Sequence, residues 1–437
     1  MHVLIAYISQ RTPFYYGWIV LGTAGSSMFV RNAAGSLTFA VFVPLIADET
    51  GWSRALIGGG AAVGGLLATG ASPPVGWAID RYGARAVLVS SLIIIGLSTM
   101  AMAWLSVHIA IFYSALAIGR IMFSSPLNVG AATVVGRWFV RQRGRATGLL
   151  FLSHSGGMVA FPLVATWVSV TYGWQVAWIV LGLMVYAIAL APAALLVAQR
   201  PEDVGLLPDG DTPDATGEAD SSIATAADTE SALEWTTRQA LRTPALWVLA
   251  IGTGFLFLLQ SGTNVYQADL LRSRGIDLSL SQLSIVVNAA GTGMGSLLWG
   301  RVVEKLRVSY TYAIVALVMA IACALFVIAD TVALAFFAAG LFGLAVAGIL
   351  VVPAVAYANF FGRESLGTIR GVTEPFTSLG QAIGAVASGL VYQFAGAYGI
   401  AFIIYAVLGA VTALALLLAK PPVHPQARPA LSAETAD

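Results

Sequence analysis

Apolar residues run along this chain in twelve long blocks separated by short polar joints, and that alternation sets the expected architecture before any single residue is weighed. A helix needs about 20 apolar residues to cross the hydrocarbon of a bilayer, where backbone groups find no water and must bond within their own segment. Blocks of that length fall near residues 17–46, 54–79, 86–106, 109–136, 144–170, 175–198, 244–271, 280–303, 309–329, 332–360, 366–394 and 399–419. The expected fold is an all-α membrane protein with twelve transmembrane helices in two pseudo-symmetric six-helix bundles, residues 1–198 and 243–420, followed by a tail over 421–437. Between the bundles the pattern stops. Residues 199–242, with "PEDVGLLPDGDTPDATGEADSSIATAADTE" inside them, are acidic and poor in aromatics, which predicts a mobile loop.

The halves resemble each other. "GWAIDRYG" from Gly76 and "GRVVEKL" from Gly300 share a glycine followed, four and five positions on, by an acid and a base. Gly144, Gly148 and Gly157 in the fifth block repeat as Gly367, Gly371 and Gly380 in the eleventh, an offset of 223 residues. Two coincidences at offsets of 224 and 223 predict an internal duplication, with an offset of about 223 residues. Glycine is abundant throughout, at 46 residues, and in a membrane small residues let helices approach closely.

Composition sharpens this picture. Of 437 residues, 58% are hydrophobic and only 10% charged, with a mean hydropathy of +0.84, against about 25% charged in ordinary soluble domains. The net charge is +1 and the basic residues form no patch, so no nucleic-acid partner is expected. Cys323 is the single cysteine and excludes an internal disulfide, and the scattered His2, His108, His154 and His424 predict no metal site. No phosphate-binding loop of the form G-x-x-x-x-G-K-[ST] occurs, so neither ATP-driven pumping nor a cofactor is expected, and the chain reads as no enzyme. The first ten residues lack the marks of a removable signal peptide. Arg81, Arg85, Arg137, Arg141, Arg143, Arg145, Arg301, Lys305, Arg307, Arg363 and Arg370 are placed in connections on one side, whereas the other side holds Arg54, Arg272 and Arg274. The positive-inside bias then predicts a multi-pass inner-membrane protein with both termini and the acidic loop in the cytoplasm. Arg141, Arg143 and Arg145 read as topology determinants in contact with lipid headgroups.

"GWAIDRYGAR", between the second and third blocks, resembles the loop signature G-x-x-x-D-R-x-G-x-R of the major facilitator superfamily through Gly76, Asp80, Arg81, Gly83 and Arg85. Twelve helices in two halves joined by a long loop fit the same family. "YYGWIV", "GWSRALIGGG" and "RWFVRQRGRATGLLFLSHSGG" are similar to its bacterial monocarboxylate and oxalate–formate transporter branch. The resemblance implies a secondary transporter, with the Asp80 and Arg81 loop latching the halves in the outward-open state. It also implies a cation in the eighth or eleventh helix to meet a substrate carboxylate. The eighth helix, over "SLSQLSIVVNAAGTGMGSLLWG", has no charge, and the eleventh offers Glu374 in its place.

Charges inside the apolar blocks point to a site, because one at the bilayer centre costs roughly 2.5 to 3.5 kcal/mol on insertion scales. Arg31 stands at the midpoint of the first block and Arg120 near that of the fourth. In the superfamily's architecture the first, fourth, seventh and tenth helices line the central cavity, so both arginines are expected at substrate depth. A guanidinium presents a fork of donors suited to a carboxylate; the alternative is bonding to carbonyls at a helix break, or snorkelling. Glu374, followed by Pro375, either carries a coupling proton or locks to Arg370 or another cytoplasmic base. His154 is a second candidate for proton coupling, against a structural hydrogen-bonding role. Asn32, Asn128, Gln260, Asn264, Tyr266, Asn288, Tyr357 and Gln381 are expected to border the cavity, some orienting a ligand and others bridging helices.

The expected function is proton-coupled uptake of a small organic anion, a monocarboxylate, by a monomer embedded in membrane lipids. The rivals are a proton-coupled exporter of amphipathic compounds and, ranked below it, a solute-binding receptor, for which the acidic loop is too short to form an output domain.

Overall fold

The computed structural model describes residues 5, 9, 11–104, 108–211, 235–422 and 424. Twelve long helices follow one another: α1 (Gly17–Thr50), α2 (Arg54–Tyr82), α3 (Ala84–Ala101), α4 (Ile109–Trp138), α5 (Arg143–Tyr172), α6 (Trp174–Leu196), α7 (Pro244–Ser273), α8 (Leu278–Lys305), α9 (Val308–Ile328), α10 (Val332–Phe361), α11 (Leu366–Ala395) and α12 (Tyr398–Leu417). Among the described residues there is no strand. Ten of the twelve are apolar enough to cross a membrane by composition alone, the exceptions being α8 and α11. Those two carry Asn288, Thr292 and Ser296, and Arg370, Thr373 and Glu374, all of them buried inside the protein. Bulky side chains such as Trp167, Val170, Phe394 and Leu418 are instead exposed on the outer surface, where hydrocarbon suits them.

Two helices are interrupted for readable reasons. In α1 the helix tightens to a 3₁₀ turn over Arg31–Ala34 and Gly35 is extended. The Asn32 side chain donates back to Met28 O and Phe29 O, and Thr38 Oγ1 donates to Asn32 O, so side chains satisfy carbonyls that the break sets free. In α4 the break falls at Ser125, before Pro126, which lacks an amide hydrogen and disfavours helical geometry in its predecessor.

The packing order repeats. In the first six helices α1 packs on α5, α2 on α4 and α3 on α6; in the second six α7 packs on α11, α8 on α10 and α9 on α12. The two groups meet mainly where α2 crosses α11 and α5 crosses α8. Glycine makes these crossings possible. A methyl carbon on Gly76 would lie 2.3 Å from Gly367 O, and one on Gly144 would lie 2.2 Å from Gly300 O. One on Gly371 would lie 2.7 Å from Ser72 O, and one on Gly148 would lie 2.4 Å from Ser296 O. These pairs are related by the repeat offset, so the duplicated glycines build two equivalent seams. The same rule acts inside the second group, where a methyl carbon on Gly343 would sit 2.0 Å from Asn288 O. Gly343→Ala must push α10 off α8 and is expected to destabilise the protein by about 1 to 3 kcal/mol or more, read as a lower melting temperature by scanning fluorimetry. Gly22→Ala, with open space at its Cβ, should leave the melt unchanged.

Both seams lie at the end of the bundle where the basic residues collect, here called the basic face. Asp80 accepts hydrogen bonds from Arg137 Nη2 at 2.7 Å, from the amides of Gly367 at 3.1 Å and Thr368 at 2.6 Å, and from Thr368 Oγ1 at 2.7 Å. It therefore caps the first turn of α11 from across the seam. The motif that contains it occupies the end of α2 and the start of α3 rather than a loop, with only Gly83, at a φ of 87°, between them. Arg81 is exposed and, among the described residues, forms no ion pair; Asp80 takes its charge from Arg137.

Three further expectations change here. Arg143 does not reach lipid headgroups: it is buried and donates to Phe139 O, Gly136 O and, across the seam, Asn359 Oδ1. Arg145 likewise pairs with Glu304 of α8 at 3.0 Å. Arg370 lies within α11 rather than in a connection. The start of the central segment is also ordered. Over residues 199–211, Arg200 pairs with Glu364 at 2.6 Å and Glu202 with Arg363 at 3.1 Å, while the Asp209 carboxylate takes the amides of Val140, Arg141 and Gln142. The acidic stretch 212–234 and the tail 425–437 lie outside the described residues.

Candidate functional site

A cavity of about 440 Å³ lies between the two groups of helices, within the size range of small-molecule sites. α1, α4, α5, α7, α8, α10 and α11 line it. Its charged lining residues are Arg31, Arg120, Arg370 and Glu374, so three guanidinium groups face one carboxylate and leave two positive charges in excess.

The break in each of α1 and α4 positions the first two arginines. Arg31 sits on the 3₁₀ turn of α1 and donates Nη1 to Phe123 O at 3.0 Å, the carbonyl of the turn before the α4 break. Its Nε donates to His154 Nδ1 at 3.4 Å. Arg120, also on α4, donates Nη1 to Ser36 Oγ at 2.8 Å, while its buried Nε has no partner among the described residues. The Phe123 ring is shared by the two, with the Arg31 and Arg120 guanidinium carbons 4.5 and 5.5 Å from its centroid. The quadrupole of the ring attracts both cations and so lets two like charges share a small space.

Arg370 and Glu374 stand one turn apart on α11, which places them on one face of the helix. Arg370 Nη1 is buried without a partner among the described residues, and the pair forms no direct ion pair, while Glu374 Oε1 accepts from Asn128 Nδ2 of α4 at 3.2 Å. The sequence concealed Arg370 because it stands near the start of its helix among the basic residues of the connections. The eleventh helix thus carries the cation that seemed to be missing from it. Phe123 gave no signal either, being an aromatic residue in an apolar run.

The other expected residues divide. Gln260, Asn264, Asn288, Tyr357 and Gln381 line the cavity. Asn32 and His154 border it but face each other: Asn32 Nδ2 lies 3.1 Å from His154 Nδ1, and the same nitrogen receives Arg31 Nε. Two donors aimed at His154 Nδ1 make it an acceptor and assign the neutral tautomer. Tyr266 does not line the cavity; its ring stacks on Tyr398, with centroids 5.0 Å apart. Gly76, Asp80, Arg81, Gly83 and Arg85 lie at the basic face, away from the cavity lining.

Twelve helices in two like groups, around a cavity that sets a few charges in a largely apolar wall, define a polytopic membrane protein. The sequence pattern of the Major Facilitator Superfamily matches residues 20–271 and 249–436, and the chain belongs to that family. It is accordingly a multi-pass transporter and not an enzyme. The chain is 28% identical over 185 residues to a protein from Proteus mirabilis named multidrug resistance protein MdtH, a match that covers 40% of this chain and 44% of that one. The protein of the same name from an Enterobacter species is 31% identical over 149 residues, covering 32% and 36%. The chain thus spans less than half the length of these curated relatives. Among solved structures it resembles the proton:xylose symporter XylE, with a TM-score of 0.70, 16% identity and coverage of 93% and 96%. It resembles the E. coli fucose:proton symporter FucP with a TM-score of 0.67, 13% identity and coverage of 92% and 98%. At these identities the likeness establishes the fold.

Proposed function

We propose that this protein is a secondary active transporter of a small organic anion, a monocarboxylate, taken up with a proton by alternating access. The observation that carries the reading is the excess of two positive charges in the cavity, on guanidinium groups whose donors the protein leaves partly unused. In a low-dielectric space such a site favours an anion, and a guanidinium fork fits a carboxylate. The position of Arg370 on α11 supports the monocarboxylate and oxalate–formate branch, whose resemblance implies a cation there. The basic face is cytoplasmic by the positive-inside bias, so the seams shut the cavity on that side and the protein is poised to load from outside. Rocking of residues 1–198 against 243–420 around the site would then deliver the anion inward. The cavity is complete within one chain, which supports a monomer as the working unit.

A carboxylate and its uncharged amide test the reading. Purified protein should bind butyrate and ignore butyramide, and Arg31→Gln should abolish that discrimination while the protein still elutes as one species. Arg31→Lys keeps the charge but loses the fork, so binding should weaken by about 1.5 to 3 kcal/mol, roughly ten- to a hundredfold. Unaltered discrimination in Arg31→Gln would make Arg31 a brace for the α4 break. The second reading is export, favoured by the multidrug-resistance name of the partial relatives and by the apolar cavity wall, which includes Phe257, Ile285 and Leu350. Inverted vesicles that accumulate amphipathic cations and no carboxylates would establish export in its place.

A further inference from the structure

The cavity is chemically two-ended. Its charges come from α1, α4 and α11, whereas every residue that α7 and α8 contribute is uncharged. On that wall Asn264 of α7 and Asn288 of α8 stand side by side. Asn288 Nδ2 donates to Asn264 Oδ1 at 2.8 Å and to Gln267 Oε1, behind it, at 3.4 Å. Gln267 is fully buried and Asn288 is 6% exposed, so the group is held rigidly. Each carboxamide has one acceptor and one two-hydrogen donor. The bond between the two asparagines therefore leaves Asn288 Oδ1 and Asn264 Nδ2, an acceptor beside a donor, without a protein partner among the described residues.

This complement does not depend on how the amide atoms are assigned. Exchanging oxygen and nitrogen on all three side chains turns the bond round, gives the otherwise unpaired Gln267 Nε2 an acceptor, and leaves Asn288 Nδ2 and Asn264 Oδ1 unpaired. Either way one donor and one acceptor remain. A carboxylate has acceptors only and would set an oxygen against the asparagine carbonyl. An alkyl group would strand both. A hydroxyl, which gives one hydrogen bond and takes another, satisfies the pair.

We infer that Asn264 and Asn288 form a second, uncharged subsite that selects anions carrying a hydroxyl remote from the carboxylate, over unsubstituted alkyl acids and dicarboxylates. The inference rests on the anion reading above, with the arginine end holding the carboxylate and the amide end reading the far group. Gln260, one turn from Asn264 on the same helix face, widens the wall on which that group lies.

The test compares butyrate, γ-hydroxybutyrate and succinate, which share one carbon skeleton, together with the homologous acids and ω-hydroxy acids up to hexanoate. Binding is measured on the purified full chain by isothermal titration. Wild type should hold at least one hydroxy acid about tenfold more tightly than its alkyl and dicarboxylate counterparts, from two neutral hydrogen bonds. Asn288→Leu should lose the preference, so that matched alkyl and hydroxy acids bind alike, while elution as one species reports a folded protein. Asn264→Ala, the second variant, should lose it as well. Equal binding of matched alkyl and hydroxy acids at every length in wild type overturns the subsite and leaves the anion reading standing. Preference retained in both variants also overturns it. Binding of no acid at all defeats the anion reading, and the subsite with it.

Discussion

Asp80→Ala is expected to leave the protein unable to keep its basic face shut. The carboxylate takes four hydrogen bonds, three of them from the first turn of α11, and neutralises Arg137, whose side chain is 1% exposed. Removing it strands a buried guanidinium and uncaps a helix across the seam. Breaking a buried pair from one side costs about 3 to 5 kcal/mol, a factor of a hundred to several thousand in the balance between shut and open. A cysteine placed at Ser72, buried beside the seam and outside the Asp80 bonds, should in a Cys323→Ser background be labelled slowly when Asp80 is present and rapidly when it is not. Transport should collapse while affinity for butyrate changes only a few fold. Parallel loss of binding and transport would instead mark Asp80 as a folding residue.

Glu374→Gln is expected to abolish accumulation driven by a proton gradient while preserving exchange of labelled for unlabelled substrate, since exchange moves no net proton. Glu374 is the one carboxylate among the residues lining the cavity, it is buried, and it bonds Asn128 of the opposite group of helices. A proton arriving there would change a contact that joins the two halves. His154 is the weaker candidate, because its Nδ1 already receives Asn32 and Arg31 and a proton would have to displace both. His154→Gln should therefore still accumulate substrate, and Glu374→Asp should recover part of what Glu374→Gln loses. Undiminished accumulation in Glu374→Gln would remove this carboxylate from the coupling step.

The bilayer made most of the fold legible, because it demands long apolar runs and tolerates charge only for cause. Arg31, Arg120 and Glu374 stood out against such runs, and all three line the cavity. α8 and α11 were legible in spite of their polarity through the repeat offset and through interruptions too sparse to end an apolar block. What the pattern could not supply was rotation about each helix axis, which packing decides. That is why Tyr266 turned out stacked on Tyr398 rather than lining the cavity with its neighbour Asn264. Partners remote in sequence were equally hidden: Arg143 finds Asn359 at a separation of 216 residues, and nothing local distinguishes it from an arginine at the headgroups.

The paired glycine seams have a mechanical consequence. At Gly76 against Gly367, and at Gly144 against Gly300, backbone meets backbone, with the Asp80 and Glu304 carboxylates lying beside the two contacts. The attractions at such a contact are dispersion, weak Cα–H···O bonds and the hydrogen bonds that Asp80 and Glu304 accept from backbone amides across the seams, and each weakens steeply within an ångström or so of separation. All of these attractions are short-ranged, so the restoring force does not grow with displacement as it would in a spring. A joint of this kind is brittle: it has a shut position and a parted one, and little reason to linger between them. Because the two seams are copies of one another, they should fail together, and the halves should separate as rigid bodies.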